Sequence, residues 1–262
     1  MPEGPEVKAI VNRLRKYTNK NLTKITILSG RYKKHNNPKG WNELTKQLPL
    51  EIDSINCHGK FIWWQFKKSD ITLWNTLGMT GWWTTDDDKH NNVMFEINGI
   101  KLYFNDTRNF GTIMFQSKKE LEKKLNSFGP DVLKKDGFDL FVQRLKRKRK
   151  DGYVGAALLD QKVFAGVGNY MRCDALYLSK ISPFRKINDL TDKEIKTVFN
   201  NCKLIAENSY NNLIGKKFEF ESDIMGETTF VIYSKEEDKY GNKVKKEKLG
   251  ERTVHWVPNI QK

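Results

Sequence analysis

The hydrophobic period of this chain changes near its middle, and that change most constrains the fold. From about residue 20 to 116, apolar and polar residues alternate in short runs, and Asn98-Gly99 is a strong hairpin signal. Beyond about residue 128 apolar residues recur at helical spacing, with a capping box from Thr191 to Glu194. The pattern predicts a β-sandwich or barrel followed by a mainly helical region.

Several other segments carry recognisable signals. Gly129-Pro130 marks a natural boundary, since both residues interrupt regular structure. The basic run at 144–150 is interpreted as a solvated face or linker, with a nuclear-targeting signal as the lesser alternative. We predict helices over 118–125, 138–148, 153–160 and 170–178, and short strands around 228–233 and 252–256.

The chain opens Met1-Pro2-Glu3-Gly4-Pro5-Glu6. The small Pro2 favours removal of Met1, which leaves a secondary amine; an α-amino group titrates near ~8, so part of it is a neutral nucleophile at physiological pH. Its attack on a sugar carbon gives an iminium ion that acts as an electron sink, and Glu3 and Glu6 can move protons. The plainer interpretation is an acidic N-terminus entering an amphipathic helix, and these residues alone leave both open.

Charge narrows the class of ligand. The 262 residues include 47 lysines and arginines against 32 aspartates and glutamates, a net charge of +15 that favours nucleic acid or an anionic membrane. We find neither an apolar run long enough to span a membrane nor a signal-peptide pattern. The scattered Cys57, Cys173 and Cys202 suggest reduced, packed thiols in an intracellular protein. A lysine- and asparagine-rich composition can also reflect an AT-rich genome.

Four segments, in order, resemble the formamidopyrimidine-DNA glycosylase and endonuclease VIII family, and the similarity runs from residue 2 to the C-terminus. They are the N-terminal start, His58-Gly59-Lys60-Phe61, the pair 77–81 and 106–111, and 158–170, which is similar to the family's helix–two-turn–helix. Leu159-Asp160-Gln161 and the segment 181–184 look closest to the eukaryotic endonuclease VIII-like branch.

The resemblance implies a role for particular residues, each of which also has a plainer interpretation as a surface charge, a core side chain or a tight turn. It implies an α+β fold in which a β-sandwich with a leading helix precedes a helix–two-turn–helix domain. The implied catalytic residues are Pro2, Glu3, Glu6 and Lys60, the last as a phosphate clamp. The implied DNA-binding residues are Gly168, Asn169, Arg252 and His90, and Met79, Arg108 and Phe110 would fill the void left by an everted base.

The C-terminus departs from the family pattern. Many members end in a four-cysteine zinc finger, but residues 203–262 contain no cysteine and one histidine, His255, so no tetrahedral zinc site can be built there. The segment 251–258 still resembles the family's hairpin, and the resemblance implies that Arg252 is its phosphate-binding arginine. We expect a zincless β-hairpin in which packing by Trp256, Val254 and Tyr233 replaces the metal.

We therefore predict a two-domain DNA glycosylase and abasic-site lyase for oxidised bases, with a β-sandwich at 1–127 and a helical domain at 128–262. It would act as a monomer on damaged, mainly duplex DNA, with no cofactor, no metal and no membrane contact, in the nucleus or another DNA-containing compartment. Residues 215–240 would contact the everted base. The alternatives are a non-catalytic DNA-binding protein on the same fold and, more distantly, an RNA-binding protein.

Overall fold

The computed structural model describes residues 2–148, 152–215 and 230–262. These residues divide into two compact units. The first contains Pro2 and Glu6–Asn126; the second contains Glu3–Pro5, Ser127–Gly215 and the described residues from 230 onward. None of the helices in the described part of the chain is long and apolar enough to cross a membrane.

An antiparallel sheet of eight strands forms the frame of the first unit. Its strand order is β5-β7-β6-β1-β2-β3-β4-β8, and β1 pairs with β2 at only two positions, so the sheet folds into two four-stranded halves. The strands are β1 (Asn21–Ile27), β2 (Leu50–His58), β3 (Phe61–Phe66), β4 (Ile71–Thr76), β5 (Trp82–Thr84), β6 (Asn91–Ile97), β7 (Ile100–Asn105) and β8 (Thr112–Ser117).

The two halves of this sheet enclose one aromatic core, which confirms the predicted β-sandwich. Trp64 of β3 lies 5.2 Å from Trp83 of β5 and 5.8 Å from Phe95 of β6, measured between ring centroids. The apolar face of the leading helix packs on the same core through residues such as Val7 and Leu14. The helices with residues in this unit are α1 (Gly4–Leu14), α2 (Gly30–Lys34), α3 (Trp41–Thr45) and α4 (Lys118–Ser127), with a 3₁₀ turn at Arg15–Tyr17.

The second unit is helical and ends in a β-hairpin, as predicted. The capping box of its long last helix is present: the Thr191 N–H donates to Glu194 at 2.8 Å and the Glu194 N–H donates to the Thr191 hydroxyl at 3.2 Å. The elements are α5 (Phe138–Lys146), α6 (Val154–Ala157), α7 (Asn169–Leu178), a 3₁₀ turn at Ile187–Asp189, α8 (Asp192–Gly215), β9 (Lys245–Leu249) and β10 (Arg252–Trp256). Turns join α6 to α7, which is the order of a helix–two-turn–helix.

Two predicted elements differ from the structure. The helix predicted over 153–160 is only the single turn α6, because the chain then enters the turns that lead to α7. The strand predicted around 228–233 is wrong for its described part, 230–233. There the amides of Val231, Ile232 and Tyr233 donate to the carboxylate of Asp174, each at 2.9 Å, so they have no sheet partner.

Candidate functional site

The buried carboxylate of Glu3 is held by the first turn of α7. Its Oε2 accepts the Gly168 N–H at 2.7 Å and its Oε1 accepts the Tyr170 N–H at 3.0 Å, and the side chain is only 2 % exposed. These amides belong to the unpaired donors that open every helix, where the dipole favours an anion. The amide of Gly168, a residue that the family resemblance assigned to DNA binding, is therefore donated to Glu3 in this structure.

A glycine contact sets the position of Glu3. The Gly4 N–H donates to the Gly166 carbonyl at 2.9 Å. A Cβ added at Gly4 would lie 3.1 Å from the Gly166 Cα, so the two backbones are in close contact and a side chain at Gly4 would require one of them to shift by a few tenths of an ångström. The residue that follows Glu3 is thus fixed against the turn that precedes α7.

The other three residues proposed for catalysis lie in the first unit. Pro2 is half-buried and precedes α1, while Glu6 is buried within the first turn of that helix. Lys60 is half-buried in the tight Gly59-Lys60 turn that joins β2 to β3. The turn places Lys60 directly before the first residue of β3.

Asn169 opens α7 and is fixed by two neighbours. Its Nδ2 donates to the Thr253 carbonyl of β10 at 2.9 Å, and its Oδ1 accepts a hydrogen bond from the guanidinium of Arg172. An amide nitrogen carries two N–H groups, and Thr253 is the one acceptor found for Nδ2 within residues 2–148, 152–215 and 230–262, which leaves a second donor for a ligand such as a phosphate oxygen. Sequence reasoning found Asn169 but missed Arg172.

Arg172 is a fully buried arginine under the first turn of α7. Burial lowers its pKa, while the nearby Glu3 carboxylate acts in the opposite direction and the Arg252 guanidinium adds to the lowering. Arg252 itself is exposed at the start of β10, next to Thr253 in the chain. The buried carboxylate of Glu3 and the buried guanidinium of Arg172 thus lie at the start of α7, near the exposed Arg252.

The C-terminal hairpin is anchored to α7 by side chains. The His255 N–H donates to the Cys173 sulfur at 3.2 Å, and the His255 Nδ1 accepts the Ser234 N–H at 2.9 Å, so this nitrogen is an acceptor. Burial lowers the pKa of His255 and raises that of the Cys173 thiol to about 11. Among the described residues no group of three or more histidine, cysteine, aspartate or glutamate side chains could hold a metal ion.

Apolar contacts complete this anchoring. Val254 is buried against Cys173 and Leu249, and the partly buried rings of Tyr233 and Trp256 pack against the same cluster. The Trp256 ring makes an edge contact with Phe184 at 5.4 Å between centroids. The three residues expected to stabilise the hairpin thus all lie in its packed base.

In the first unit, two loops meet around the buried carboxylate of Asp106. Asp106 accepts hydrogen bonds from the Thr80 hydroxyl, from the Arg108 N–H at 3.2 Å and from the Gly111 N–H at 2.6 Å. Gly78 has a φ of 62°, and a Cβ there would lie 2.6 Å from the Gly111 nitrogen. Loop 77–81 and loop 106–111 are therefore locked together by their backbones.

This pair of loops carries the three residues predicted to fill the void. Met79 is half-buried, Arg108 is exposed, and Phe110 is 52 % exposed. The Arg108 guanidinium lies 4.9 Å from the centroid of the Phe110 ring, within the range of a cation–π contact. Phe110 was assigned to the core in the plainer interpretation of the sequence, and its exposure excludes that interpretation.

His90 lies in the turn that precedes β6, beside the same loops. Its N–H donates to Asp88 Oδ1 at 2.7 Å and its carbonyl accepts the Asp106 N–H at 3.2 Å. The predicted base-contacting segment 215–240 lies largely outside the described residues, since 216–229 are not among them.

Three family models match consecutive stretches of the chain. They describe the formamidopyrimidine-DNA glycosylase N-terminal domain over residues 1–113, the formamidopyrimidine-DNA glycosylase H2TH domain over 128–214 and the formamidopyrimidine-DNA glycosylase C-terminal domain over 225–262. The formamidopyrimidine-DNA glycosylase of Mycoplasma mobile is 30% identical over 280 residues, which cover 100% of this chain and 99% of that protein. The enzyme of Oceanobacillus iheyensis is also 30% identical, covering 100% and 98%.

A solved structure has the same fold. The Lactococcus lactis protein in a complex with DNA that contains an oxidised pyrimidine superimposes with a TM-score of 0.84, at 23% identity and with 99% of both chains covered. This similarity confirms the α+β architecture, with its N-terminal β-sandwich, helix–two-turn–helix and C-terminal hairpin.

Proposed function

The chain belongs to the formamidopyrimidine-DNA glycosylase family, whose members are DNA-repair enzymes, and we propose that it is a bifunctional DNA glycosylase and abasic-site lyase. In this proposal the amine of Pro2, freed by removal of Met1, attacks C1′ of the damaged nucleotide. We also propose that residues 1–127 form the N-terminal domain and residues 128–262 the C-terminal domain.

The proposed chemistry uses Glu3 as a proton carrier. As the Pro2 nitrogen bonds to C1′, Glu3 takes the proton that this nitrogen loses and passes it to the ring oxygen, so the C1′–O4′ bond breaks and the sugar opens. The nitrogen lone pair then expels the damaged base, which leaves with the electron pair of the glycosidic bond, and an iminium ion remains on Pro2. Glu6 stabilises the positive charge. Loss of a C2′ proton and then of a C4′ proton expels the 3′ and 5′ phosphates in turn, leaving a one-nucleoside gap.

The observation that carries this proposal is the clamp on Glu3. A carboxylate that is 2 % exposed and bonded to two helix-start amides has its position fixed before substrate arrives. Such preorganisation is what proton transfer at a sugar requires. A purely structural acidic N-terminus needs no buried carboxylate adjacent to a proline amine, which argues against a non-catalytic DNA-binding protein.

We further propose that Asn169, Arg252, Lys60 and His90 contact the DNA backbone, whereas the N–H of Gly168 is already donated to Glu3. The remaining Asn169 donor and the exposed Arg252 guanidinium suit phosphate oxygens. Arg252→Ala should weaken binding uniformly across sequences and reduce the slope of log affinity against log salt by about one. An unchanged slope would exclude Arg252 as a phosphate contact.

Met79, Arg108 and Phe110 are proposed to enter the duplex once the damaged base has left the stack. Phe110 supplies an exposed ring that can stack, and Arg108 supplies donors for the orphaned base. The backbone that carries Arg108 and Phe110 is fixed by Asp106, whose carboxylate accepts the N–H groups of Arg108 and Gly111. The cost of inserting them is lowered because the loop does not have to be ordered on binding.

The proposed substrates are ring-opened formamidopyrimidines, oxidised pyrimidines and hydantoins rather than intact 8-oxoguanine. Relatives are named for formamidopyrimidine, and the Lactococcus lactis protein is seen with an oxidised pyrimidine in DNA. Such bases stack poorly, so extruding them takes less of the few kcal/mol that base flipping requires. Leu159-Asp160-Gln161 and a cysteine-free finger support the endonuclease VIII-like branch.

A single-turnover panel of duplexes, each with one lesion, tests this preference. We expect fast excision of thymine glycol and hydantoins and slow excision of 8-oxoguanine opposite cytosine. If 8-oxoguanine is the fastest substrate, the chain belongs with the formamidopyrimidine-DNA glycosylase branch and not with the endonuclease VIII-like branch. The two relatives reported above are bacterial, and bacteria have no nucleus, so they support a DNA-containing compartment rather than a nuclear location.

Covalent trapping tests the nucleophile. The purified protein is mixed with duplex DNA containing an abasic site, reduced with borohydride and analysed by peptide mass spectrometry. The proposal requires one adduct, on residue 2. Pro2→Gly should bind the DNA but lose most strand cleavage, and a protein that retains Met1 should do the same. Full cleavage by the Met1-retaining protein would show that the amine of Pro2 is not the nucleophile.

A further inference from the structure

Arg172 has no role in the chemistry above, yet it is a fully buried cation beside the proposed phosphate site. Its Nη1 donates to the Gly155 carbonyl at 3.1 Å. Its Nη2 donates both to Asn169 Oδ1 and, at 3.4 Å, to the Thr253 carbonyl. A buried arginine is costly unless its donors are satisfied, and the Nε of Arg172 is buried with no hydrogen-bond partner among the described residues, so this arrangement needs an explanation beyond packing.

The guanidinium determines which way the Asn169 amide faces. Arginine has donors and no acceptor, so the Asn169 atom that faces it must be the oxygen. The Asn169 nitrogen is then directed to the Thr253 carbonyl, at 2.9 Å, which accepts and cannot donate. A flipped amide would set donor against donor at Arg172 and acceptor against acceptor at Thr253. The amide is thereby held with its nitrogen, the group a phosphate needs, as the donor.

Arg172 also connects two elements that the proposed phosphate site uses. Asn169 opens α7, whereas Thr253 lies in β10 directly after Arg252. One guanidinium nitrogen contacts both, and the other contacts the α6 carbonyl of Gly155. A planar fork can join three fixed acceptors in this way, whereas an ammonium acts as a point charge.

We propose that Arg172 is a positioning residue of the DNA-binding site: it fixes the Asn169 amide as a phosphate donor and holds the Arg252 end of the hairpin against the start of α7. The inference rests on the proposed function, because it takes Asn169 as a phosphate ligand. Arg172 would touch no DNA itself and would act through its two neighbours.

The test is a double-mutant cycle on DNA affinity. Asn169→Ala, Arg172→Met, Arg172→Lys and the Asn169→Ala/Arg172→Met pair are titrated with a short duplex that carries a tetrahydrofuran analogue of the abasic site. Loss of a hydrogen bond to a charged phosphate should raise Kd about tenfold or more in Asn169→Ala. Arg172→Met should raise Kd at least as much, because it also releases the Arg252 end of the hairpin. The pair should be at most about twofold worse than Arg172→Met alone, since the Asn169 contact is already lost in that variant.

Two further readouts separate positioning from plain stability. The rate of abasic-site cleavage at saturating DNA should stay within about threefold of wild type in Arg172→Lys, while the half-saturating DNA concentration rises. Lysine keeps the charge without the fork, so a wild-type Kd in that variant would show that charge alone suffices and overturn the proposal. Val198→Ala, a buried change in α8, is the matched control and should lower stability without changing Kd.

The outcomes distinguish the two ideas. If Asn169→Ala binds DNA as wild type does, the phosphate role of Asn169 is wrong and the inference falls with it. If Asn169→Ala binds weakly but Arg172→Met binds normally, or if the two losses multiply, only the positioning role is wrong. If neither Arg172 variant folds, Arg172 is a structural support and the proposal is also overturned.

Discussion

Glu3→Gln is the substitution for which the structure predicts both a stability change and a kinetic change. Glu3 accepts one amide on each oxygen, at 2.7 Å from Gly168 and 3.0 Å from Tyr170. Glutamine has one oxygen and one NH₂, so one of these amides must face another donor. A hydrogen bond to a charged group contributes about 1.5–3 kcal/mol, and an anion at a helix start about 0.3–1 kcal/mol. We expect the free energy of unfolding to fall by about 2–4 kcal/mol.

The kinetic effect should be confined to one step. Glutamine cannot carry a proton to the sugar, and general acid–base help is worth roughly 10²–10⁴-fold, so base excision should slow by that factor. A pre-formed abasic site needs no base release and should still be cut at an appreciable rate. Single-turnover assays of both substrates on one preparation of the variant measure the two steps side by side.

Two results would refute this reasoning. Equal loss on both substrates would show that Glu3 has a structural role or assists the lyase step, rather than transferring the proton that releases the base. An unfolding free energy within about 0.5 kcal/mol of wild type would show that the amide clamp contributes nothing. Glu43→Gln, an exposed change in α3, is the control and should alter neither stability nor rate by more than a surface substitution does.

Three further predictions concern the finger and the thiols. Because residues 203–262 lack cysteine, elemental analysis should find no stoichiometric zinc, and chelators should leave the melting temperature unchanged; about one zinc per chain would refute this. Burial lowers the pKa of His255, so the unfolded chain binds that proton more readily and stability should fall as pH drops below about 6.5; His255→Asn should flatten this dependence in denaturant titrations. A thiol reagent should modify half-buried Cys57 before buried Cys173, whose pKa is raised to about 11; simultaneous labelling would contradict this.

The fold was predictable from sequence because its signals are local. Period-two runs gave the strands of the sandwich, and Thr191 and Glu194 formed the capping box that starts α8. The strand expected near 230 failed for a non-local reason. Its alternating residues satisfy the pattern, but Asp174, 57 to 59 positions earlier in the chain, takes their amides. No window of sequence contains both partners of such a bond.

The candidate site was predicted only as a set of residue types. The Glu3 carboxylate meets its amide donors 165 and 167 positions away, so its burial and its clamp could not be read from the N-terminus. Arg172 was missed because its burial depends on the packing of the whole unit. Every residue of α7 from 170 to 177 is buried, which places the guanidinium inside the protein, where both of its Nη atoms find acceptors.

In the loops around Asp106, a buried polar group fixes the backbone, and an exposed apolar group provides the surface for the proposed DNA contact. The carboxylate is 1 % exposed and accepts the amides of Arg108 and Gly111, which fixes the backbone between them. The Phe110 ring above that backbone remains 52 % exposed, although burying such a ring is worth roughly 1.5–3 kcal/mol. A rigid base beneath an unburied ring stabilises the free protein little, but it presents apolar surface that stacking in a duplex would bury. An exposed Phe110 ring on a fixed loop contributes little to folding, but it is well suited to insertion into DNA.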